Sequence, residues 1–236
     1  MRPALPAKAA LLLDLDGTLI DFAPTPESVI VPDDLRTSLA ALRMSLHNAL
    51  AIVTGRPVEQ VDTLLGPLPF AVAGEHGGAI RHAPDAPVER LPLADMPPDW
   101  LGRAEALAAR HPGALVEPKR RSLVLHYRRA PDAGPALHAV AQSLIMGHED
   151  RFAIMRANMA WELKPRGADK GSAVRALMAQ PPFAGRTPVY IGDDVTDEDG
   201  IEAAIALGGM GWRVQEVFDT PAGVRAWLAA VARTSF

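Results

Sequence analysis

Two acidic segments carry the most pointed chemistry in this sequence. The first, Asp14-Leu15-Asp16-Gly17-Thr18, directly follows the apolar run Ala9–Leu13. Residues two apart on extended chain point to the same side, so Asp14 and Asp16 can converge on one site. Gly17 permits a sharp turn there. Two neighbouring carboxylates can hold a hard cation, or can divide the roles of nucleophile and acid. The plain alternative is a solvated turn, in which Asp and Gly are common. The second segment, Gly192-Asp193-Asp194-Val195-Thr196-Asp197-Glu198, follows the apolar stretch 189–191 and sets four carboxylates in six positions. Such charges repel unless a cation or a basic partner compensates. Asp193 and Asp197 share a face if a helix begins there. An acidic helix start, favoured by the helix dipole, is the alternative. Two clusters at the ends of two strands fit a divalent-metal site better than two unrelated turns. Oxygen donors in a chain without cysteine point to Mg²⁺.

Two further segments supply what an anion needs. In Thr54-Gly55-Arg56-Pro57, Pro57 suits a helix start and leaves free backbone N–H groups. Thr54 adds a hydroxyl and Gly55 allows close approach, so Gly55 and Arg56 are candidate substrate contacts. Lys170-Gly171-Ser172 places a cation at another helix start, where the dipole disfavours it. A bound phosphate or the acidic cluster would explain that lysine. A capped helix for Thr54 and a surface cation for Lys170 are the bland readings of each alone. Together the four segments describe a phosphate flanked by a nucleophile, a metal, a hydroxyl and a cation, the parts that phosphoryl transfer requires.

These residues need a scaffold, and the hydrophobic pattern predicts one. Ala9–Leu13, Leu50–Val53 and 70–73 read as buried strands. A helix over 33–46 shows Leu35, Leu39, Leu42 and Leu46 on one face, and Pro57 opens another with Val58, Val61, Leu64 and Leu65 inward. This β-α-β-α-β order implies a doubly wound parallel sheet. Prolines then punctuate the chain. A helix over 100–110, strands over 122–127 and 153–163 and a helix over 133–146 suggest a small α+β unit with an antiparallel sheet. The first texture returns after Gly171, with helices over 172–178, 198–205 and 224–231 and a strand over 189–191. The expected organisation is a core of residues 1–79 plus 166–236, split by an inserted domain at 80–165.

The 236 residues, 48% hydrophobic and 22% charged, are ordinary for a globular chain, which excludes disorder as the main state. A net charge of -4 argues against a nucleic-acid partner. The absence of cysteine excludes disulfide scaffolds, thiolate metal sites and cysteine catalysis. The run at 9–13 is too short for a membrane span, so a soluble cytoplasmic protein without a membrane partner is expected. No G-x-S-x-G or H-E-x-x-H occurs, and 167–172 lacks P-loop spacing. His47, His82, His111, His138 and His148 show no metal-ligand spacing, and Trp100, Trp212 and Trp227 read as packing. His76, ending a core strand, reads as a hinge or a substrate contact.

The four segments resemble, in order and spacing, the motifs of the haloacid dehalogenase superfamily of aspartate-nucleophile phosphatases, with the insertion placed as in a C2-type cap. More closely, the sequence resembles the trehalose-6-phosphate phosphatase family. That resemblance rests on 192–198, on Glu75-His76-Gly77 and on Lys164-Pro165-Arg166-Gly167 before Lys170. In the insertion it rests on Glu117-Pro118-Lys119 and Leu125-His126-Tyr127-Arg128. It runs to about Gly211; the stretch 212–236 carries no site assignment. It implies that Asp14 attacks phosphorus to form an aspartyl-phosphate, while Asp16 protonates the departing sugar oxygen and then deprotonates water. It implies that Asp193 binds Mg²⁺ with Asp14 and the Asp16 carbonyl, with Asp197 close by. Thr54 and Lys170 would hold phosphoryl oxygens, and Glu117, Lys119, Arg128 and Glu162 the sugar hydroxyls. The implied activity is Mg²⁺-dependent hydrolysis of trehalose 6-phosphate in trehalose biosynthesis, with a functional link to a trehalose-6-phosphate synthase. The alternatives are a phosphatase for another sugar phosphate, such as sucrose phosphate, and a catalytically silent phosphosugar-binding module that regulates a synthase. Intact Asp14 and Asp16 weigh against the silent module.

Overall fold

The protein is described by a computed structural model covering residues 3–23, 28–119 and 121–234. Strand β1 (Ala9–Leu13) is buried at every position, as a parallel strand covered on both faces must be. Helix α1 (Asp33–Ser45) buries Leu35, Leu39 and Leu42. Strand β2 (Leu50–Val53), helix α2 (Val58–Leu65) and strand β3 (Ala71–Gly74) complete the first run. Short strands β4 (Ala79–Arg81) and β5 (Glu89–Arg90) follow, then α3 (Trp100–Ala108), β6 (Leu115–Pro118), β7 (Leu123–His126), α4 (Gly134–Ile145), β8 (Phe152–Ala157) and β9 (Ala160–Pro165). The remainder is α5 (Lys170–Met178), β10 (Thr187–Gly192), α6 (Asp197–Ala206), β11 (Met210–Arg213), α7 (Val214–Val217) and α8 (Pro221–Thr234).

The chain divides into two compact units, Met1–Leu91 with Ala168–Phe236, and Pro92–Gly167. Among the described residues, the first unit holds one sheet in the order β11-β10-β1-β2-β3-β4-β5. Its strands are parallel from β11 to β3, and β4 and β5 add antiparallel. This is the expected doubly wound α/β sheet. Strand order reverses at β1: β2 and β3 lie to one side, β10 and β11 to the other. Ligands in such sheets bind beyond the carboxyl ends of the strands at that switch point, here the ends of β1 and β10.

The second unit is α+β. Its antiparallel sheet, in the order β6-β7-β9-β8, packs Leu123, Leu125 and Leu163 with Trp100, Ala104, Leu137 and Leu144 of α3 and α4. Alternation sends the intervening side chains to the opposite face. There Glu117, Val124 and Glu162 stand in register across β6, β7 and β9.

Three local differences from expectation have physical causes. The boundary expected at residue 80 falls later, because β4 and β5 pair onto β3 and continue the first sheet. The single strand expected over 153–163 is the hairpin β8–β9, turning at Asn158 and Met159 with Met159 at a φ of 54°. No glycine marks that turn. Strand β11 was not anticipated, and its Trp212 packs edge-on against Trp227 at 5.5 Å and beside Phe218 at 6.2 Å. Trp100 and Trp227 are buried as expected. The last two residues of the stretch 212–236 lie outside those described.

Candidate active site

Asp14 is the first residue past β1, and its N–H still donates to Ile191 O of β10 at 2.9 Å. The buried carboxylate therefore opens on the switch point. Its Oδ1 accepts from Lys170 Nζ at 2.8 Å, and the same ammonium donates to Asp197 Oδ1 at 2.7 Å. The lysine that a helix start disfavours is thus matched by two buried carboxylates, with Asp169 and Ser172 capping α5 around it. Thr18 Oγ1 lies 3.3 Å from Asp14 Oδ2 and 3.2 Å from Asp193 Oδ1. Its one proton can serve either. Gly17 has a φ of +79°, and a Cβ there would lie 2.2 Å from Asp193 Oδ2. Only glycine lets the two acidic segments meet.

Asp197 is fully buried and uses both oxygens within the protein. Oδ1 accepts from Lys170 and from Tyr190 Oη at 2.6 Å, while Oδ2 accepts from the backbone N–H groups of Asp193 and Asp194, both at 3.1 Å. Four bonds fill the lone pairs of one carboxylate. Asp197 therefore orders the loop that carries Asp193. Oxygens of Asp14, Asp193 and Asp197 all lie within 4.8 Å of one another. This hard-oxygen set suits a divalent cation, with Asp14 and Asp193 as the carboxylates that retain open lone pairs.

The electrostatics agree with that reading. Burial, and then the Asp197 carboxylate, push Asp14 well above the usual aspartate range. Burial, Asp197 and Asp194 push Asp193 up to about 7. Burial works against the charge on Lys170, yet the carboxylates of Asp14 and Asp197 hold its ammonium above the ordinary lysine range. Burial also opposes ionisation of Asp194, but Lys170 and the Thr196 hydroxyl and N–H keep it below its usual value. A positive charge placed among these groups would be compensated at once.

Asp16 and Arg56 form a bidentate pair, Nε to Oδ2 at 2.6 Å and Nη2 to Oδ1 at 2.7 Å. Arg56, expected on the substrate, here grips Asp16, two residues past Asp14. Thr54 is buried at the end of β2, and its Oγ1 accepts from Arg56 N–H at 3.2 Å. Together with Gly55 this loop adjoins the site through Arg56.

In the second unit, Glu162 is buried and accepts from Ser122 Oγ at 2.6 Å and Lys119 Nζ at 3.3 Å. Glu117 lies 2.7 Å from His126 Nε2, whose hydrogen bond holds the Glu117 carboxyl below its usual range. Glu117, Lys119 and Glu162 thus share one polar region of the sheet. Arg128 is exposed just beyond β7.

The sequence reading assigned no role to Thr18, Tyr190 or Gln215. Gln215 Nε2 donates to the Asp193 backbone oxygen at 2.9 Å. Tyr190 carried a signal, since a tyrosine in an aliphatic buried strand needs a partner for its hydroxyl. Among the described residues, no helix is long and apolar enough to cross a membrane.

A parallel sheet with a buried aspartate and paired carboxylates at the ends of adjacent strands β1 and β10, and a lysine at the start of α5, has the haloacid dehalogenase-like fold. The solved C-terminal domain of a Candida albicans trehalose-6-phosphate phosphatase shares the fold, with a TM-score of 0.78, 21% identity and coverage of 96% of this chain and 92% of that one. Residues 12–221 match the family described as trehalose-phosphatase, and the chain belongs to that family. It is 37% identical over 221 residues to the trehalose-6-phosphate phosphatase of Escherichia coli (strain K12), covering 90% of this chain and 79% of that protein. It is 42% identical over 207 residues to a probable trehalose-phosphate phosphatase of Sinorhizobium fredii, covering 87% and 77%.

Proposed function

We propose that this chain hydrolyses trehalose 6-phosphate to trehalose and phosphate through a phosphorylated Asp14. The observation that carries the chemistry is the buried Asp14 carboxylate, held by Lys170 beside Thr18 and Asp193 at the switch point. Family membership supports the substrate. Asp14 attacks phosphorus, an O–P bond forms, and the bond from phosphorus to the sugar oxygen breaks. Asp16 donates a proton to that leaving oxygen. It then takes one from the water that cleaves the aspartyl-phosphate, which restores Asp14 and frees phosphate. Thr54 and Lys170 hold the phosphoryl oxygens, with Gly55 leaving room. Asp14, Asp193 and the Asp16 carbonyl would hold Mg²⁺, with Asp197 ordering their loop. When bound, Mg²⁺ neutralises phosphoryl charge and favours the ionised nucleophile.

The Mg²⁺ assignment has a readout besides turnover. The Asp193 carboxyl binds its proton more tightly folded, with a pKa of about 7, than unfolded. Between the ordinary aspartate value and that pKa, the folded metal-free protein binds more protons than the unfolded chain. Its stability therefore falls as pH rises through this window. Mg²⁺ takes the proton's place, so saturating Mg²⁺ is expected to raise Tm more at about pH 8 than at about pH 5.5. Exhaustive chelation is expected to stop turnover and Mg²⁺ to restore it. An equal Tm shift at both pH values, or full turnover after chelation, would count against the site.

We read Pro92–Gly167 as the substrate-selecting unit, with Glu117, Lys119, Arg128 and Glu162 toward the sugar. An ester lacking matching hydroxyls leaves such groups unpaired, at about 1–3 kcal/mol each. Phosphate release from a panel of sugar phosphates, with and without Mg²⁺, tests the function. Glucose 6-phosphate is expected to be much poorer than trehalose 6-phosphate. Glu117→Ala and Lys119→Ala are expected to lower kcat/KM for trehalose 6-phosphate far more than for a small phosphate ester. Equal efficiency on the two sugars would reassign the chain as a broad sugar phosphatase, and no release from any ester would leave the silent-module reading. The reading also links this chain to a synthase that makes the ester. A cytoplasmic setting suits it, because a doubly charged phosphate ester does not cross a bilayer unaided.

A further inference from the structure

Strand β3 runs into a turn, Glu75-His76-Gly77, that the mechanism above does not use. Glu75 and His76 both have a φ of 54°, consecutive left-handed residues that are not glycine. Gly or Asn would sit there with less strain. Such conformations persist only where the surroundings over-determine them, and they gather at functional sites.

The surroundings here are specific. The Glu75 N–H donates to Arg56 O and the His76 N–H to Thr54 O, each at 3.0 Å. The Glu75 carboxylate pairs with Arg90 of β5, and Arg90 also reaches Glu59 in the first turn of α2 at 2.7 Å. The buried His76 ring lies against Gly55, where a Cβ would come within 2.6 Å of it. The residue after Gly55 is Arg56, which holds Asp16 by two short parallel bonds. The turn thus touches all three residues of the Thr54-Gly55-Arg56 loop, two through backbone bonds and one through the ring.

We infer that the Glu75–His76 turn, clamped by Arg90, is a positioning device for Asp16: it fixes the loop from which Arg56 orients the Asp16 carboxylate. The inference rests on the phosphatase reading, in which Asp16 protonates the leaving oxygen. His76 and Arg90 act through Gly55, Glu75 and Arg56. A misplaced proton donor harms an ester whose leaving alcohol needs the proton. It scarcely slows loss of the leaving group from an ester whose leaving group departs unaided, such as p-nitrophenolate, although the later attack of water needs Asp16 for either ester.

Two variants test this. His76→Asn removes the ring and keeps a residue that tolerates left-handed backbone. Arg90→Met removes the clamp and carries the same test should His76→Asn fail to fold. The measurements are KM and the single-turnover rate of leaving-group release, from trehalose 6-phosphate and from p-nitrophenyl phosphate, a rate that is set before Asp16 is needed for water. The expected result is a leaving-group release from the sugar ester slower by on the order of 10- to 100-fold, with less than about a 3-fold change on the aryl ester and little change in KM. Arg90→Lys is expected to recover part of the loss. A fall by the same factor on both esters would show a merely structural turn and overturn the inference, as would unchanged rates on both. Failure of the phosphatase reading shows separately, as no phosphate release by the unmodified enzyme from either ester, and it would remove this inference too.

Discussion

Asp14→Asn is expected to abolish phosphate release, by at least ~10⁴-fold, while the thermal transition stays in place. The amide is close to isosteric with the carboxylate, and its oxygen can still accept from Lys170 Nζ, now 2.8 Å from Oδ1. What disappears is the proposed nucleophile. Stability survives because the removed charge is one that the fold bears reluctantly: burial and the Asp197 carboxylate already push Asp14 toward its neutral form. In the absence of metal, the variant is therefore expected to melt no lower than the unmodified protein. Differential scanning calorimetry and a phosphate-release assay check both halves. Unmodified turnover by a preparation shown by mass to be free of deamidation would refute the covalent mechanism.

Lys170→Met is expected to be damaging in a different way, losing both turnover and about 3–5 kcal/mol of folding stability. Lys170 is 3% exposed and donates to Asp14 and Asp197, both buried. Methionine keeps much of the stem and removes the ammonium, so two buried carboxylates lose the cation between them. Asp197 retains Tyr190 and two backbone N–H donors, whereas Asp14 retains the shared Thr18 hydroxyl. The loss should accordingly fall mostly on Asp14. Urea denaturation of Lys170→Met alone and together with Asp14→Asn measures this directly. The double variant is expected to be more stable than Lys170→Met alone, because the uncompensated charge has gone. A loss below about 1 kcal/mol in the single variant would mean that the ion pair does not hold the site together.

The scaffold could be read in the sequence because buried parallel strands leave continuous apolar runs. The stretches at 9–13 and 50–53 are such runs, and both are strands. The acidic segments were legible for a related reason: unlike the runs they follow, they place charge where burial is due. Less visible was how each charge is satisfied. Asp193 and Asp197 at a spacing of four suggested a shared helical face, but spacing does not say which oxygens are already filled. Four donors from Lys170, Tyr190, Asp193 and Asp194 fill those of Asp197. Arg56 looked like an anion contact, and its partner Asp16 lies 40 residues away in sequence. Glu117 and His126 meet only because β6 and β7 pair antiparallel. The β8–β9 hairpin escaped notice because a two-residue turn through Asn158 and Met159 interrupts neither composition nor periodicity enough to show.

The division of the chain also sets an order of events at the ribosome. Pro92–Gly167 is continuous in sequence and has its own core of Trp100, Leu125, Leu137 and Phe152, so it can close as soon as it has emerged. The other unit cannot, since β1 is flanked by β2 on one side and by β10, made more than 170 residues later, on the other. Until Thr187–Gly192 is synthesised, β1 presents one unpaired edge, and Asp14 has neither its bond to Ile191 nor Asp193 and Asp197 nearby. A nascent chain is most vulnerable to mispairing at such an edge. The first strand of this sheet to leave the tunnel is thus the one that waits longest for its neighbour, and the hazard ends only when the second acidic segment arrives.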